Sequence, residues 1–378
     1  MSTKSRIGVV GCGAISGRYL RNLATFPHLE VVACADIDGE RAKARAEEFH
    51  VPRVCGVEEL IASRDIDVVI NLTVPKAHHA VSSAALRAGK HVYSEKPLAV
   101  TLGEGKELLD LAAARRLSLG CAPDTFLGGG LQTCAKLIAD GWIGKPIAAN
   151  AFMMRSPPEF SNPNVTFIYE KGAGPMFDMG PYYLTALAVL LGPIRRIAAS
   201  SQITSPDRII TVGPNAGRKL AVEAPTHLAG VLDFQSGAVA TLVTTFDCWA
   251  STLPNIEIYG TEGTLIVPDP NTFGGPVRVA RAGAAADGAI AWREIPLSHG
   301  YSKEFRGLGA ADMIHAMQTG RRAFRATADR AFHVLEAMHG FLISSETGRH
   351  YEMQSSCEKP EPLPISLVEG MVEGFPIF

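Results

Sequence analysis

The sequence lacks three features that would place the protein on a membrane or on nucleic acid. It contains no run of about 18 apolar residues, the length that a membrane-spanning helix needs. Its formal net charge is only −2, which gives no general electrostatic case for binding nucleic acid or anionic lipid. The first residues, MSTKSRIGVVG, show no secretory signal pattern. We therefore expect a cytoplasmic protein that has neither a nucleic acid nor a membrane as its partner.

Signals for metal sites and disulfides are also missing. The seven cysteines are scattered, their number is odd, and none forms a Cys-x-x-Cys pair. The eleven histidines include no His-Glu-x-x-His sequence. Scattered cysteines in apolar runs indicate reduced thiols rather than disulfides, and we expect no metal site.

A glycine-rich turn near the N-terminus is the first positive signal. The apolar run at 6–10 is followed by GCGAIS at 11–16, a helical pattern, and a second strand that ends at Asp36. A strand, a glycine turn, a helix and a strand with a terminal acid form a unit that binds dinucleotides. Two glycines would allow the tight turn and a close approach of the backbone to a pyrophosphate. We expect these residues to contact the cofactor: Gly11, Cys12, Gly13, Ala14 and Ile15.

Asp36 predicts which nicotinamide cofactor is used. A carboxylate at the end of the second strand can accept hydrogen bonds from the ribose hydroxyls of NAD, and it would repel the 2′-phosphate of NADP. The next residue is Ile37, so no arginine stands beside the acid to receive that phosphate. We therefore predict NAD as the cofactor, with Asp36 and Ile37 in its site.

Helices and strands continue to alternate as far as about residue 121. Buried-strand patterns at 68–72, 91–93 and 117–121 alternate with helical patterns at 39–48, 57–63, 76–88 and 102–115. This alternation predicts a doubly wound parallel sheet, whose ligand crevice lies at the carboxyl ends of the strands. Further residues near such strand ends are predicted to face the same crevice: Thr73, Pro75, Glu95 and Lys96.

Short strands separated by glycine and proline dominate the chain after about residue 145, and helical patterns interrupt them at about 179–191, 307–319 and 329–347. They predict an α+β domain with an open, mostly antiparallel sheet. We therefore divide the chain into a Rossmann domain, 1–124, and a substrate-binding and oligomerisation domain, 125–378. Residues 282–290 are predicted to form a surface loop and 358–378 an extended tail. Because an open sheet face can be buried against a second copy, we expect a homodimer or homotetramer.

Four motifs together resemble one known family. They are GCGAIS at 11–16, TVPKAHHA at 73–80, ALRAGKHVYSEKPLA at 85–99 and GAGPMFDMGPYY at 172–183. In this order and spacing the chain resembles the glucose–fructose oxidoreductase/inositol dehydrogenase/MocA (Gfo/Idh/MocA) family. The resemblance implies a Rossmann domain followed by an α/β domain. It also implies an NAD-dependent oxidoreductase that acts on a sugar, an inositol or a related polyol.

The resemblance assigns roles to individual residues. Lys96 occupies the position of the family lysine that contacts cofactor and substrate, and Asp178 that of the active-site aspartate. Tyr182 stands where most members have the catalytic histidine, as it does in glucose–fructose oxidoreductase. His79 is matched to the family histidine that follows the proline and is therefore expected at the cofactor, whereas Lys76 replaces the common asparagine.

The chemistry of alcohol oxidation gives these residues physical tasks. A base must take the hydroxyl proton, and the developing oxyanion must be stabilised. Tyr182 is the candidate base, because the ammonium of Lys96 would lower the pKa of its phenol. Asp178 could pair with Lys96, bind substrate or cap the helix that follows. Arg155 and Tyr183 are candidate substrate contacts, with a surface salt bridge and a core position as the respective alternatives.

Two other functions remain open from the sequence. An NAD-dependent glycosidase would use much the same residues for transient oxidation, elimination, addition of water and re-reduction. A non-catalytic NAD-binding sensor would not require Lys96, Asp178 and Tyr182, and their presence argues against it. The dehydrogenase is therefore the leading hypothesis.

Overall fold

The computed structural model describes residues 4–281, 291–321, 323–365 and 367–373. The predicted surface loop at 282–290 and the last five residues of the predicted tail lie outside the described residues.

The first sheet has five strands in the order β2-β1-β3-β4-β5, and all of its neighbouring pairs are parallel. This confirms the predicted doubly wound parallel sheet. Its strands are β1 Ser5–Val10, β2 Leu29–Ala35, β3 Val68–Asn71, β4 His91–Ser94 and β5 Leu119–Cys121. The helices that connect them are α1 Ser16–Leu23, α2 Gly39–Phe49, α3 Val57–Ala62, α4 Pro75–Arg87 and α5 Leu102–Arg115.

The strands of this sheet are buried because helices cover both of its faces. Every residue of β3 is buried, as expected for a strand in the middle of a covered parallel sheet. Local signals also fix the helix starts. Thr101 and Glu104 form a capping box at the start of α5, and each side chain accepts a hydrogen bond from the backbone of the other residue.

The second sheet has nine strands in the order β15-β14-β13-β12-β6-β11-β10-β7-β16. Only the pair of β6 and β11 is parallel, so the predicted open, mostly antiparallel sheet is confirmed. Its strands are β6 Pro146–Met154, β7 Ile194–Gln202, β10 His227–Phe234, β11 Val239–Thr245, β12 Ile256–Gly260, β13 Gly263–Val267, β14 Val277–Arg281, β15 Arg293–Ile295 and β16 Tyr351–Glu352. The sequence did not predict β15, β16 or the separate hairpin of β8 Asp207–Ile209 and β9 Lys219–Ala221.

In the part of the chain that the structure describes, helices cover one face of the second sheet and leave the other open. The remaining helices are α6 Gly129–Ala139, α7 Gly174–Asp178, α8 Gly180–Leu191, α9 Leu308–Gln318 and α10 Ala328–Thr347. Helices α6, α8 and α10 pack against strands of this sheet. Residues alternate between buried and exposed along β10, and Val231 on the uncovered face is 43% exposed.

The C-terminal helices also return to the first sheet. Helix α9 packs against β5, and α10 packs against α5. Gly120 and Thr327 form an isolated antiparallel bridge between the two halves of the chain. The C-terminal half therefore packs against the first sheet as well as carrying the second sheet. The domain division at residue 124 stays a prediction.

Candidate functional site

The two glycines of the turn after β1 lie in different surroundings. Gly11 adopts φ +99°, and a Cβ there would lie 2.5 Å from the backbone carbon of Leu72. A side chain at Gly11 would therefore collide with the end of β3. A Cβ on Gly13 would meet no atom within 4 Å. Gly11 is thus required by the fold, whereas Gly13 faces open space in the crevice.

That open space is a cavity of about 660 Å³. Cys12, Gly13 and Ala14 line one side of it, and α2 lines the other. Helix α1 follows the turn, and no side chain caps its first residue. Its N-terminal N–H groups and dipole can therefore serve an anion in this cavity. These features fit the pyrophosphate end of a dinucleotide.

Asp36 is held at the edge of this cavity. One carboxylate oxygen accepts a hydrogen bond from Cys12 N at 2.7 Å, and the other accepts one from Asp38 N at 2.9 Å. Ile37 beside it is 99% exposed. The sequence indicated no arginine next to the acid, but α2 brings Arg41 Nη1 to 3.6 Å from Asp36 Oδ1. Arg41, in the first turn of α2, therefore places beside Asp36 the arginine that is missing from the adjacent sequence.

Lys96 connects the two halves of the molecule. Its Nζ donates hydrogen bonds to the backbone oxygen of Asp178 at 2.6 Å and to Oδ1 of Asp178 at 3.0 Å. The ammonium also lies 5.2 Å from the centroid of the Tyr182 ring. Burial lowers the pKa of Lys96, but Asp178, Tyr182 and Glu95 outweigh that effect and the pKa is raised. Lys96 is therefore a cation at neutral pH.

Asp178 is not the cap of the following helix. It ends the short helix α7, Met179 separates the two helices, and no side chain caps the start of α8. The helix predicted at about 179–191 is confirmed as α8 Gly180–Leu191, and a break at Met179 separates it from the preceding helix α7. This break turns the backbone oxygen and the side chain of Asp178 toward Lys96, which the capping alternative would not have done.

Glu95 has its carboxylate occupied by the protein. Tyr19 of α1 donates a hydrogen bond to Glu95 Oε1 at 2.8 Å, and Lys96 N donates to Oε2 at 3.0 Å. Burial, followed by the charge of Glu95, raises the pKa of Tyr19. These contacts tie helix α1 to the Lys96 segment, and the contact of Glu95 with the cofactor stays a prediction.

Tyr182 is buried beside two cations. Burial raises the pKa of its phenol, and the nearby charges of Lys96 and Arg306 act in the opposite direction. The predicted lowering by Lys96 is therefore present, but burial outweighs it and the net direction is upward. Arg306, whose guanidinium carbon is 5.9 Å from the ring centroid, was not predicted. It lies in the turn before α9, in a segment in which the sequence analysis found no motif.

Tyr183 and Arg155 lie away from Lys96. The Tyr183 hydroxyl donates to Asn255 Oδ1 at 2.9 Å, and its side chain is 2% exposed, so it occupies a core position. The prediction that Tyr183 contacts substrate is not supported, because its hydroxyl points at β6 and its neighbours. Arg155 is 55% exposed in its side chain and pairs with Asp269 at 3.5 Å, as the salt-bridge alternative expected.

In α4 the buried histidine is His78, whereas the predicted cofactor contact was His79. The imidazole of His79 lies 3.0 Å from Glu107 on α5 and does not face the crevice. His78 is fully buried, and its ring nitrogens lie 2.6 Å from Pro97 O and 3.0 Å from Thr73 O. The correction follows from helix geometry, since adjacent residues point about 100° apart. His78 therefore bridges the segments that follow β3 and β4.

A second cavity, of about 370 Å³, contains the Lys96–Asp178 pair. Pro75 and Lys76 from the start of α4 line one wall, and the segment 167–173 lines another. Lys76 forms an ion pair with Glu170 across this cavity. Phe167 lines both cavities, so the two spaces are neighbours along one crevice. Thr73 follows the end of β3 and donates its hydroxyl to Asn71 Oδ1 at 2.7 Å.

No helix in the described ranges is both long and apolar enough to cross a membrane. The seven cysteines are all free thiols. Within the described residues no three or more His, Cys, Asp or Glu side chains are grouped in a way that could hold a metal ion.

Comparison with known proteins places this architecture in a family. Residues 5–121 match the model described as an oxidoreductase family with an NAD-binding Rossmann fold, and residues 131–266 match the model of the GFO/IDH/MocA C-terminal domain. The chain is 30% identical over 266 residues to 1,5-anhydro-D-fructose reductase of Ensifer adhaerens, covering 69% of this chain and 75% of that protein.

Two further relatives extend the comparison to nearly the whole chain. A dTDP-3,4-didehydro-2,6-dideoxy-alpha-D-glucose 3-reductase of Actinomadura kijaniata is 28% identical over 339 residues, with 84% of this chain and 96% of that protein covered. The solved structure of levoglucosan dehydrogenase in complex with NADH and levoglucosan superposes with a TM-score of 0.81 at 21% identity, covering 93% of this chain and 100% of that one. The shared fold, the two matched models and the nucleotide crevice identify the chain as an NAD-binding oxidoreductase of the Gfo/Idh/MocA family.

Proposed function

We propose that the protein transfers a hydride between NAD and a secondary hydroxyl or the corresponding ketone of a sugar, an inositol or a related polyol. The observation that carries this proposal is the convergence of Lys96, Asp178 and Tyr182 in the crevice at the carboxyl ends of the first sheet. The relatives named as reductases and dehydrogenases act on carbohydrates or inositol, which supports this substrate class.

The cofactor would be held by the residues of the first cavity. When bound, NAD supplies the two-electron acceptor or donor of the reaction. Gly13 and the start of α1 would face its pyrophosphate, and the oriented carboxylate of Asp36 would accept a ribose hydroxyl. The other proposed contacts of the cofactor are the turn residues Gly11, Cys12, Ala14 and Ile15, with Ile37, Thr73 and Pro75.

Tyr182, Lys96 and Asp178 would have different roles in the transfer of the substrate proton. Tyr182, as phenolate, would take the hydroxyl proton of the alcohol. Lys96 would remain an ammonium and stabilise the oxygen as negative charge develops on it. Asp178 would hold Lys96 through its backbone and side-chain oxygens, so that this cation is positioned before substrate arrives. Reduction of a ketone would use the same groups in reverse.

Adjacent tyrosines provide the experiment that tests this assignment. We expect Tyr182→Phe to lower turnover by at least about 100-fold, because a positioned general base contributes 10²–10⁴-fold. Tyr183→Phe is the matched control, since it removes a hydroxyl that is bonded within the core, and it should keep most of the activity. Lys96→Ala should be as damaging as Tyr182→Phe. Near wild-type turnover in both Tyr182→Phe and Lys96→Ala would refute the proposed roles.

A substrate panel distinguishes the dehydrogenase from the glycosidase. Sugars, inositols and aryl glycosides would be incubated with the enzyme and NAD while NADH absorbance and aglycone release are recorded. The proposal expects net NADH formation with at least one free sugar or polyol. Aglycone release without net NADH would instead support the redox-assisted glycosidase.

We also propose that the protein is cytoplasmic and works as a homo-oligomer. The uncovered face of the second sheet carries Val231 and Val239, which are 43% and 45% exposed. A second copy of the same face would bury these side chains in an isologous contact. This surface, rather than the crevice, is the one offered to a partner subunit.

A further inference from the structure

Arg306 is a buried arginine that stands against the proposed base. It lies in the turn before α9, is 5% exposed, and places its guanidinium carbon 5.9 Å from the centroid of the Tyr182 ring. Lys96 Nζ lies 5.2 Å from the same centroid. Two cations within about 6 Å of one phenol ring are an unusual concentration of positive charge around a neutral side chain.

Two residues hold the guanidinium of Arg306, and a third holds its backbone. Its Nη2 donates to Asn271 Oδ1 at 2.6 Å and to Asn271 O at 3.2 Å, and its Nη1 pairs with Glu304. Asn22 of α1 donates to the backbone oxygen of Arg306 at 2.9 Å. Because both ends of the residue are fixed, the cation stays beside Tyr182 without help from a ligand.

The charged groups around Arg306 and Tyr182 favour a specific role for Arg306. Lys96 is bonded to Asp178, and Glu95 is the buried carboxylate nearest to that lysine in the chain. An arginine remains protonated at every pH at which the enzyme would work, so its field on Tyr182 is constant. The negative groups that face Arg306 are Glu304, which is half-exposed, and Asp124, which follows β5 and accepts a hydrogen bond from Gly307 N just before α9.

We propose that Arg306 is a positioning residue of the reaction, which acts through Tyr182 by holding a fixed positive charge beside its ring and so stabilising the phenolate that receives the substrate proton. The inference rests on the proposed role of Tyr182 as base. In alcohol oxidation the proton moves from the substrate hydroxyl to the Tyr182 oxygen, while the hydride leaves to NAD. Arg306 neither gains nor loses a proton in this step.

The direct test is the ionisation of Tyr182 in the protein without substrate or NAD. Isotope-labelled tyrosine NMR would follow the ring signal of Tyr182, identified by its loss in Tyr182→Phe, in wild type, Arg306→Met and Arg306→Lys. Removing an opposite charge at this distance should raise the titration midpoint by about one pH unit or more. Arg306→Lys, which keeps a cation, should lie between wild type and Arg306→Met.

Two other variants guard against a general effect of losing a buried arginine. Arg330 is also 5% exposed and lies 5.3 Å from the Phe126 ring, so Arg330→Met removes a comparable cation–ring contact elsewhere. It should leave the Tyr182 titration unchanged. Glu304→Gln removes the carboxylate that opposes Arg306 while keeping an acceptor, and it should move the titration of Tyr182 to lower pH. This opposite shift remains measurable even if Arg306→Met fails to fold.

Activity measurements separate this inference from the proposed function. If Tyr182 is the base, the acid limb of kcat/KM for alcohol oxidation should move to higher pH in Arg306→Met, with kcat at neutral pH falling about tenfold or more and KM nearly constant. Unchanged Tyr182 titration in all Arg306 and Glu304 variants would overturn the inference. Full activity of Tyr182→Phe would instead overturn the proposed function on which it rests.

Discussion

At the scale of single residues, the two glycines of the nucleotide turn separate what the fold needs from what the cofactor needs. Gly11 is constrained by its positive φ and by the nearby end of β3, whereas Gly13 borders empty space. A glycine motif read from sequence alone gives both positions the same meaning. The structure shows that substitutions at the two positions should fail for different reasons.

We predict that Gly11→Ala lowers the thermal stability of the protein without ligand, because its Cβ would lie 2.5 Å from the backbone carbon of Leu72. Gly13→Ala is the matched variant and should unfold at the wild-type temperature. It should nevertheless lose most of the stabilisation that added NAD gives to wild type, since its methyl group would enter the pyrophosphate space. Equal NAD stabilisation of Gly13→Ala and wild type would contradict this placement of the cofactor.

At the scale of elements, the segment between β6 and α7 depends on a buried charge cluster. Arg208 of the β8–β9 hairpin contacts Glu159 at 3.2 Å and also pairs with Asp247. Tyr169 donates its hydroxyl to Glu159, and the Arg208 and Glu159 side chains are only 6% and 5% exposed. The same segment continues into the wall of the Lys96 cavity, so this cluster determines the position of that wall.

We predict that Arg208→Met lowers the free energy of unfolding by about 3–5 kcal/mol, because it leaves two carboxylates of a buried ion cluster without their cation. Hydrogen exchange should also become faster in the segment 157–171. Lys43→Met is the control, since it removes an exposed ion pair with Glu40 and should not change stability measurably. A protein with Arg208→Met and wild-type denaturation midpoint would show that the hairpin does not anchor the segment.

Helix α5 offers a smaller and local test of element formation. Thr101→Ala removes the side-chain oxygen that accepts from Glu104 N at 3.2 Å, and it should destabilise the protein by about 1 kcal/mol in chemical denaturation. Thr101→Ser keeps the capping oxygen and should recover most of that loss. Equal stability of the alanine and serine variants would mean that the capping box contributes nothing.

At the scale of the whole molecule, none of the helices and strands in the described ranges covers the open face of the second sheet. Val231 pairs in register with Thr241, and Val239 lies two residues before Thr241 on β11, so both valines lie on the same face. Buried residues such as Leu232 and Ala240 alternate with them on the helix-covered face. The fold therefore presents an apolar surface at a place remote from the glycine turn.

We predict that wild type elutes as a dimer or tetramer in light-scattering experiments, and that the double variant Val231→Asp/Val239→Asp is a monomer. Introducing two carboxylates per subunit would place like charges across a symmetric contact. Ile209→Asp, which changes an exposed β-branched side chain on the β8–β9 hairpin, should keep the wild-type mass. A monomeric wild type at micromolar concentration would remove the basis for the proposal.

The sequence by itself determined the class of fold and the nucleotide half of the site. Periodicity and turn residues predicted α5 at 102–115, where the structure has Leu102–Arg115, because local hydrogen bonds and apolar spacing decide such elements. Pairing with Lys96 was one of the alternatives that the sequence left open for Asp178, and the structure contains this pair. The hairpin β8–β9 was not predicted, since its short strands are specified by packing on Glu159 and not by a local pattern.

Only the tertiary structure decided which neighbours in the chain face the crevice and which distant residues join them. His78 rather than His79, and Tyr182 rather than Tyr183, point inward because one residue along a helix rotates a side chain by about 100°. Arg306 follows Tyr182 by 306 − 182 = 124 positions in the chain and contacts it from a turn that carries no sequence motif. Sequence patterns record local periodicity, whereas the charges around a buried phenol are set by long-range contacts.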